Sequence, residues 1–161
     1  MAREFRVGHG FDVHRLVRGR ALVLGGVVVR YPKGLAGHSD ADVLLHALMN
    51  ALLGALGEGD IGMHFPDSDR RYKGVASTKL LEIVVRMMRK QRFILVNADV
   101  TLIAQEPKLT PYYAAIKKTI AKVLKAPQDR INIKAATTEK LGWAGQRKGM
   151  GAVAVVLLRR G

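Results

Sequence analysis

The chain has 161 residues, 48% of them hydrophobic, which is enough to bury one ordinary core and not two, so a single domain over residues 1–161 is expected. It contains no cysteine, which excludes disulfides and thiolate metal sites and leaves nitrogen and oxygen ligands for any metal. Lys and Arg number 27 against 13 Asp and Glu, a net charge of +14, a balance that suits nucleic acid or small phosphorylated metabolites as clients.

The basic residues are dispersed. They end the segment "RMMRKQR", recur at Lys117, Lys118, Lys122 and Lys125, and close the chain at Arg159 and Arg160. No nucleic-acid module joins them, and Tyr112–Tyr113 is the one close aromatic pair, so a solvated basic surface is expected and no nucleic-acid partner. The N-terminus "MAREFRVGHG" lacks the apolar run of a signal peptide. Nor does any segment approach the roughly 20 apolar residues that span a bilayer. The expected location is the cytoplasm, or a plastid stroma after removal of a transit peptide.

In chain order, residues 4–8 read as a strand. "ALVLGGVVVRY" reads as a hairpin turned at Gly25 and Gly26. Residues 39–56 read as a helix with Ser39 as N-cap, Asp40 and Asp42 in its first turn, and Gly57 and Gly59 as its stop. After the loop "GEGDIGMHFPDSD", residues 77–89 form a helix with Leu80, Leu81, Val84, Val85 and Met88 inward. In "FILVNADVTLIA", Val96, Ala98, Val100 and Leu102 alternate with Asn97, Asp99 and Thr101, the pattern of a half-covered strand. Thr110 and Pro111 open a third helix, whose Ile116, Ile120, Val123 and Leu124 oppose the lysines and which ends near Pro127. "INIKAAT" and "GAVAVVLL" supply the closing strands. The sum is an α+β fold, a single-layer mixed β-sheet with helices packed on one face. Too few helices remain for the other face, so self-association is expected.

The chemistry begins at "GHGFDVH". Residues two apart on a strand share a face, so Asp12 and His14 can converge on one ion, and Gly8 and Gly10 leave the approach uncrowded. On the following helix Asp42, His46 and Asn50 recur every four residues, a polar seam on an otherwise Leu/Ala-rich rod. Two imidazoles and a carboxylate with a fourth position open match catalytic zinc coordination. The bland alternative is a chance Asp-x-His pair beside a hydrogen-bonded core histidine. "GHSDAD" puts His38 and Ser39 at a helix N-terminus, where backbone N–H groups favour a phosphate. Asp60, Asp67 and Asp69 of "DIGMHFPDSD" suit polyol hydroxyls, or merely an acidic turn. Thr137, Thr138 and Glu139 of "ATTEKLGW" offer hydroxyls for phosphate and a carboxylate for Mg²⁺.

Taken together, "GHGFDVH", "GHSDADVLLHAL", "GDIG" with "FPDSD", "AQEPKL" and "TTEKLGW" resemble the 2-C-methyl-D-erythritol 2,4-cyclodiphosphate synthase family along nearly the whole chain. The resemblance implies a lyase of non-mevalonate isoprenoid biosynthesis. Such an enzyme closes 4-diphosphocytidyl-2-C-methyl-D-erythritol 2-phosphate into the cyclic diphosphate and releases CMP. It further implies a sandwich of the ferredoxin-like or chorismate-mutase-like kind, assembled as a homotrimer with active sites between subunits.

In that resemblance Asp12, His14 and His46 hold one Zn²⁺ per subunit, Glu139 holds Mg²⁺ or Mn²⁺, and His38 and Thr137 steady the transition state. Ser39 binds phosphate. The erythritol portion meets Asp60, Ile61, Gly62, Phe65, Pro66, Asp67, Ser68 and Asp69. The cytidine end meets Ala104, Gln105, Glu106, Pro107, Lys108, Leu109 and Thr110. Ala136, Thr138, Trp143 and Gln146 complete the substrate-contacting set. Four positions depart from the family pattern: Ala136 stands for a common threonine, Gln146 for an arginine, Val153 for a glutamate and Asn50 for an aspartate. The arginine belongs to a central-cavity isoprenoid site in the family, so Gln146 argues against that ligand here unless Arg147 or Lys148 substitutes.

Overall fold

A computed structural model describes residues 4–161. The first strand, β1 (Phe5–Val17), runs well past the expected end at residue 8 because its whole length finds a partner. The GG hairpin forms as expected from β2 (Leu22–Leu24) and β3 (Val27–Val29), with Gly25 and Gly26 both at positive φ, as a two-residue turn of this type requires. A short β4 (Gly34–Leu35) then leads to α1 (Val43–Leu56). This helix starts four residues later than its acidic lead suggests. Its N-cap is Asp42, which accepts the Leu45 N–H, and Ser39 lies outside it. Gly57 ends it in the left-handed conformation, as expected.

The Gly/Asp loop carries one helical turn, α2 (Ile61–His64), capped by Asp60. Next comes α3 (Ser77–Lys90), which buries Leu80, Leu81, Val84, Val85 and Met88 as its periodicity requires. In β5 (Phe93–Ile103) the alternation breaks at a bulge between Leu95 and Asn97. The extra residue changes the parity: Phe93 and Leu95 are buried before it, Ala98, Val100 and Leu102 after it, and Val96 is only half-buried. Thr110 and Pro111 start a single 3₁₀ turn, and α4 (Tyr113–Leu124) follows, ending at Lys125. Then β6 (Ile131–Ala136), a helical turn α5 (Gly142–Gly145) and β7 (Gly149–Arg160) complete the chain.

The five-stranded sheet has the order β4-β1-β7-β5-β6, with only β5 and β6 parallel. Helices α1, α3 and α4 lie on one face, so the mixed α+β architecture is as expected. The long elements run β-α-α-β-α-β-β, which is not the β-α-β-β-α-β connectivity of ferredoxin-like folds. The reason is that β7 returns to the middle of the sheet, between β1 and β5. Nearly all of α1 is buried, Asp42 and His46 included, so the seam read along it is not an exposed polar stripe but two separately satisfied side chains and the half-buried Asn50.

On β1, the even-numbered residues from Gly8 to Leu16 face α1. A Cβ at Gly8 or Gly10 would collide with the carbonyl oxygens of Ala51 and Ala47. These glycines therefore serve backbone-to-backbone packing of strand on helix, rather than leaving room for an ion. The odd-numbered residues face the other way. Phe5, Val7, Phe11 and Val13, with Val155 of β7, remain 42–69% exposed, a single subunit leaving this side uncovered. Among the described residues, no helix is long and apolar enough to cross a membrane.

Candidate metal centre and active site

The close contact of β1 with α1 brings three ligand atoms together. Asp12 Oδ2 lies 2.9 Å from His14 Nε2 and 2.9 Å from His46 Nδ1, and the two nitrogens are 3.0 Å apart. Asp12 and His14 share a face of β1 through the two-residue period, and His46 descends from the first turn of α1. The backbone fixes which nitrogen of His14 points inward. Its Nδ1 lies 2.8 Å from the Ala36 carbonyl oxygen, which can only accept, so Nδ1 carries hydrogen and donates.

Three electron-rich atoms at such separations repel unless a proton or a cation lies among them. Burial works against ionisation of Asp12, but hydrogen bonds from His14 and His46 outweigh it and hold the carboxyl well below the usual range. Burial likewise works against charging His14, and the Asp12 carboxylate outweighs it and raises His14 above its ordinary 6.5. The cluster therefore attracts positive charge. Three points 2.9–3.0 Å apart lie on a circle of about 1.7 Å radius, less than a 2.0–2.1 Å zinc bond, so one ion can touch all three. Among the described residues, this is the one such group of three or more. The donor set fits a divalent cation.

The cluster lines a pocket of about 400 Å³. His38, Ser39, Ile61, Gly62, Phe65, Pro66 and Asp67 join it in the lining, together with Gly37, Met49, Tyr72 and Leu80, none of which the sequence assigns to the site. The Phe65 ring anchors the loop by packing edge-on against Tyr72, centroids 5.3 Å apart. His38 donates from Nε2 to the Asp69 carbonyl at 3.2 Å. Ser39 does not cap the helix, and its Oγ instead accepts the Ala41 N–H and sits 3.2 Å from His46 Nε2. Two of the three acids assigned to polyol hydroxyls are already engaged. Asp60 caps α2, and Asp69 pairs with Arg71 at 2.6 Å. Asp67 and Ser68 are exposed.

The second half of the expected site lies elsewhere on the chain. Thr137, Thr138 and Glu139 follow β6, with Thr137 donating to the Glu139 carboxylate at 3.0 Å. The segment 104–110 follows the parallel β5, and the two are tied by the Ala104 N–H to the Ala136 carbonyl. From β1 to β6 is three strand spacings, on the order of 14 Å. Within one subunit, none of Thr137, Glu139, residues 104–110 or Gln146 lines the pocket. Trp143 lies beside Gly149 and Gly151 of β7. Behind His46, two residues escaped the sequence reading. Ser77 Oγ is 3.0 Å from His46 Nε2, and Ser77 in turn bonds Asp40. In sequence they are an ordinary helix start and a first-turn acid, with no signal to set them apart.

Known proteins share this sequence pattern and fold. The sequence model of the YgbB family matches residues 5–159. The 2-C-methyl-D-erythritol 2,4-cyclodiphosphate synthase of Geobacillus thermodenitrificans is 56% identical over 156 residues, 97% of this chain and 98% of its own. A solved structure of such a synthase, described as the CDP-bound form, superposes with a TM-score of 0.87 at 40% identity, over 95% of this chain and 99% of the other. The bifunctional IspDF of Campylobacter jejuni gives a TM-score of 0.96 at 42% identity over 99% of this chain, which spans 43% of that longer protein. The chain belongs to the YgbB family, whose members at this level of identity are 2-C-methyl-D-erythritol 2,4-cyclodiphosphate synthases.

Proposed function

We propose that the protein converts 4-diphosphocytidyl-2-C-methyl-D-erythritol 2-phosphate into 2-C-methyl-D-erythritol 2,4-cyclodiphosphate and CMP, with Asp12, His14 and His46 holding a Zn²⁺. The observation that carries this reading is the convergence of those three ligand atoms, 2.9–3.0 Å apart, on the wall of the pocket. In the reaction an oxygen of the 2-phosphate attacks the β-phosphorus, and the bond from that phosphorus to the CMP oxygen breaks. The obstacle is repulsion between two anionic groups. A bound divalent cation supplies charge neutralisation and Lewis acidity for this phosphoryl transfer.

The protein's own residues do the rest. The rigid junction of β1 and α1 holds the ligand atoms in place before substrate arrives. The loop carrying Phe65, Pro66 and Asp67 closes one side of the pocket and orients the erythritol, so that attack is intramolecular. A phosphate nucleophile is already anionic near neutral pH, so no side chain need act as general base. His38 at the rim is free to stabilise charge in the transition state.

The active enzyme is a homotrimer, its subunits meeting through the uncovered face of the sheet. Trimer formation brings Thr137, the Mg²⁺- or Mn²⁺-binding Glu139 and the cytidine-binding residues 104–110 of one subunit beside the pocket of the next. What supports this is the separation of the two half-sites within a single chain, together with the exposed Phe5, Val7, Phe11 and Val13. The test is release of CMP from the cytidylylated substrate by metal-loaded protein and by His46→Ala. The parent should turn over and carry one zinc per chain, while the variant, folded, should lose both. A variant that keeps its zinc and its turnover would remove the proposal.

A further inference from the structure

Asp40, Ser77 and His46 form a chain of hydrogen bonds that can run in only one direction. The Asp40 carboxylate receives the Ser77 N–H at Oδ2, 3.0 Å away, and the Asp42 N–H at Oδ1, 3.2 Å away. It also receives the Ser77 hydroxyl at Oδ1. A carboxylate only accepts, so the single hydroxyl hydrogen of Ser77 is committed to Asp40. What Ser77 Oγ presents to His46 is a lone pair. Nε2 of His46, 3.0 Å from that oxygen, must therefore carry the imidazole hydrogen. Nδ1, 2.9 Å from Asp12 Oδ2, is the atom left to receive the cation; with no cation bound the Asp12 carboxylate favours a proton there, so Ser77 and Asp12 pull the ring toward opposite tautomers.

Ser39, also near Nε2 at 3.2 Å, imposes no such choice. Its hydroxyl hydrogen is not committed elsewhere, so it can donate or accept. On the Nε2 side of the ring, Ser77 alone discriminates between the two tautomers. Its burial supports the assignment, since Ser77 is 0% exposed and no water can take its place. The three residues come from three separate segments: Asp40 precedes α1, Ser77 opens α3, and His46 lies in the first turn of α1.

We propose that Ser77 and Asp40 are positioning residues of the metal centre, fixing the tautomer and aim of His46 so that Nδ1 is ready to bind the cation. Ser77 touches neither the substrate nor the ion, and acts through His46. This rests on the reading of His46 as a metal ligand, but one of its consequences does not involve metal at all. Outer hydrogen-bond partners of metal-bound histidines are worth about 10–100-fold in metal affinity.

Two measurements test it. The first is the nitrogen-15 NMR pattern of His46 in metal-free protein at alkaline pH. The parent should keep hydrogen on Nε2 against the pull of Asp12, and Ser77→Ala should shift the ring toward the Nδ1–H tautomer. A parent ring protonated at Nδ1 and not at Nε2, or a ring unchanged in Ser77→Ala, overturns the proposal whether or not the protein binds zinc. The second is Zn²⁺ titration of the metal-free protein against a chromophoric chelator. Ser77→Ala and Asp40→Asn should each weaken binding about 10–100-fold, with Ser77→Thr recovering most of the loss. Affinities within twofold of the parent in both variants overturn it. Asp40→Asn leaves the buried serine in place and so keeps the test available should Ser77→Ala fold poorly. A parent that shows the Nε2–H tautomer but binds zinc no better than His46→Ala would support the relay while removing the metal assignment.

Discussion

Gly10 of β1 lies against the carbonyl oxygen of Ala47 in α1, so closely that a methyl group at Gly10 would occupy the same space. That contact sets the distance between the strand that carries Asp12 and His14 and the helix that carries His46. Replacing Gly10 with Ala must separate the two backbones or bend one of them. The expected cost is about 3 kcal/mol of stability, in the range for overpacking a tight interior, together with a loss of zinc affinity. Urea unfolding and metal titration of Gly10→Ala check both, and an unchanged zinc affinity would show that the spacing does not govern the site.

Asp42 is fully buried as the cap of α1, accepting N–H groups from Gly25, Gly26 and Leu45. Burial outweighs these donors and pushes its carboxyl from the ordinary 3.8 up to about 6. The folded protein then keeps a proton that the unfolded chain releases near pH 4. Stability from this group is thus greatest below that value and falls as pH rises to about 6, by about 3 kcal/mol in all. Asp42→Asn should abolish that slope. The variant will also be less stable by about 1–3 kcal/mol, because an amide NH₂ must then face at least one backbone N–H. Urea midpoints across this pH range decide the matter, and an identical slope in the variant would rule out Asp42 as its source.

Removing the metal should lower thermal stability, since a cation bound by Asp12, His14 and His46 ties β1 to α1 only in the folded chain. At free zinc one hundred times its Kd the difference should be about 2.7 kcal/mol. Protons compete for the same atoms. Because Asp12 raises His14 above 6.5, zinc affinity should already be falling as pH drops toward that value from above. Melting curves with zinc and with chelator measure the first effect, and titrations at several pH values the second. Equal melting temperatures with and without metal would contradict the assignment.

Val7 is 69% exposed on the uncovered face of the sheet, so a charge there costs the isolated subunit little. Val7→Asp should leave the fold intact while abolishing assembly and, with it, CMP release. Sedimentation should then report a single chain of 17.6 kDa in place of three. A variant that still assembles and turns over would show that the proposed assembly does not use this face.

What the amino-acid order determined by itself was whatever depends on near neighbours along the chain. The two-residue period joined Asp12 to His14, and the GG pair marked the hairpin. The apolar stripe of α3 was legible because helical geometry repeats every few residues. The members of the Asp12–His14–His46 cluster were readable for the same reason, each half lying within one element. Relationships between distant segments were decided only by the tertiary structure. The true start of α1 at Asp42 depends on the Gly25 and Gly26 N–H groups that share its carboxylate, and Ser39 looked the better cap without them. The role of Gly8 and Gly10 required a helix backbone to press against them. The bulge beside Val96 appeared only against its partner strand, and the Asp40–Ser77–His46 chain only once three segments had packed together. Local periodicity is set by backbone geometry, whereas meetings between remote residues are set by the packing of the whole core.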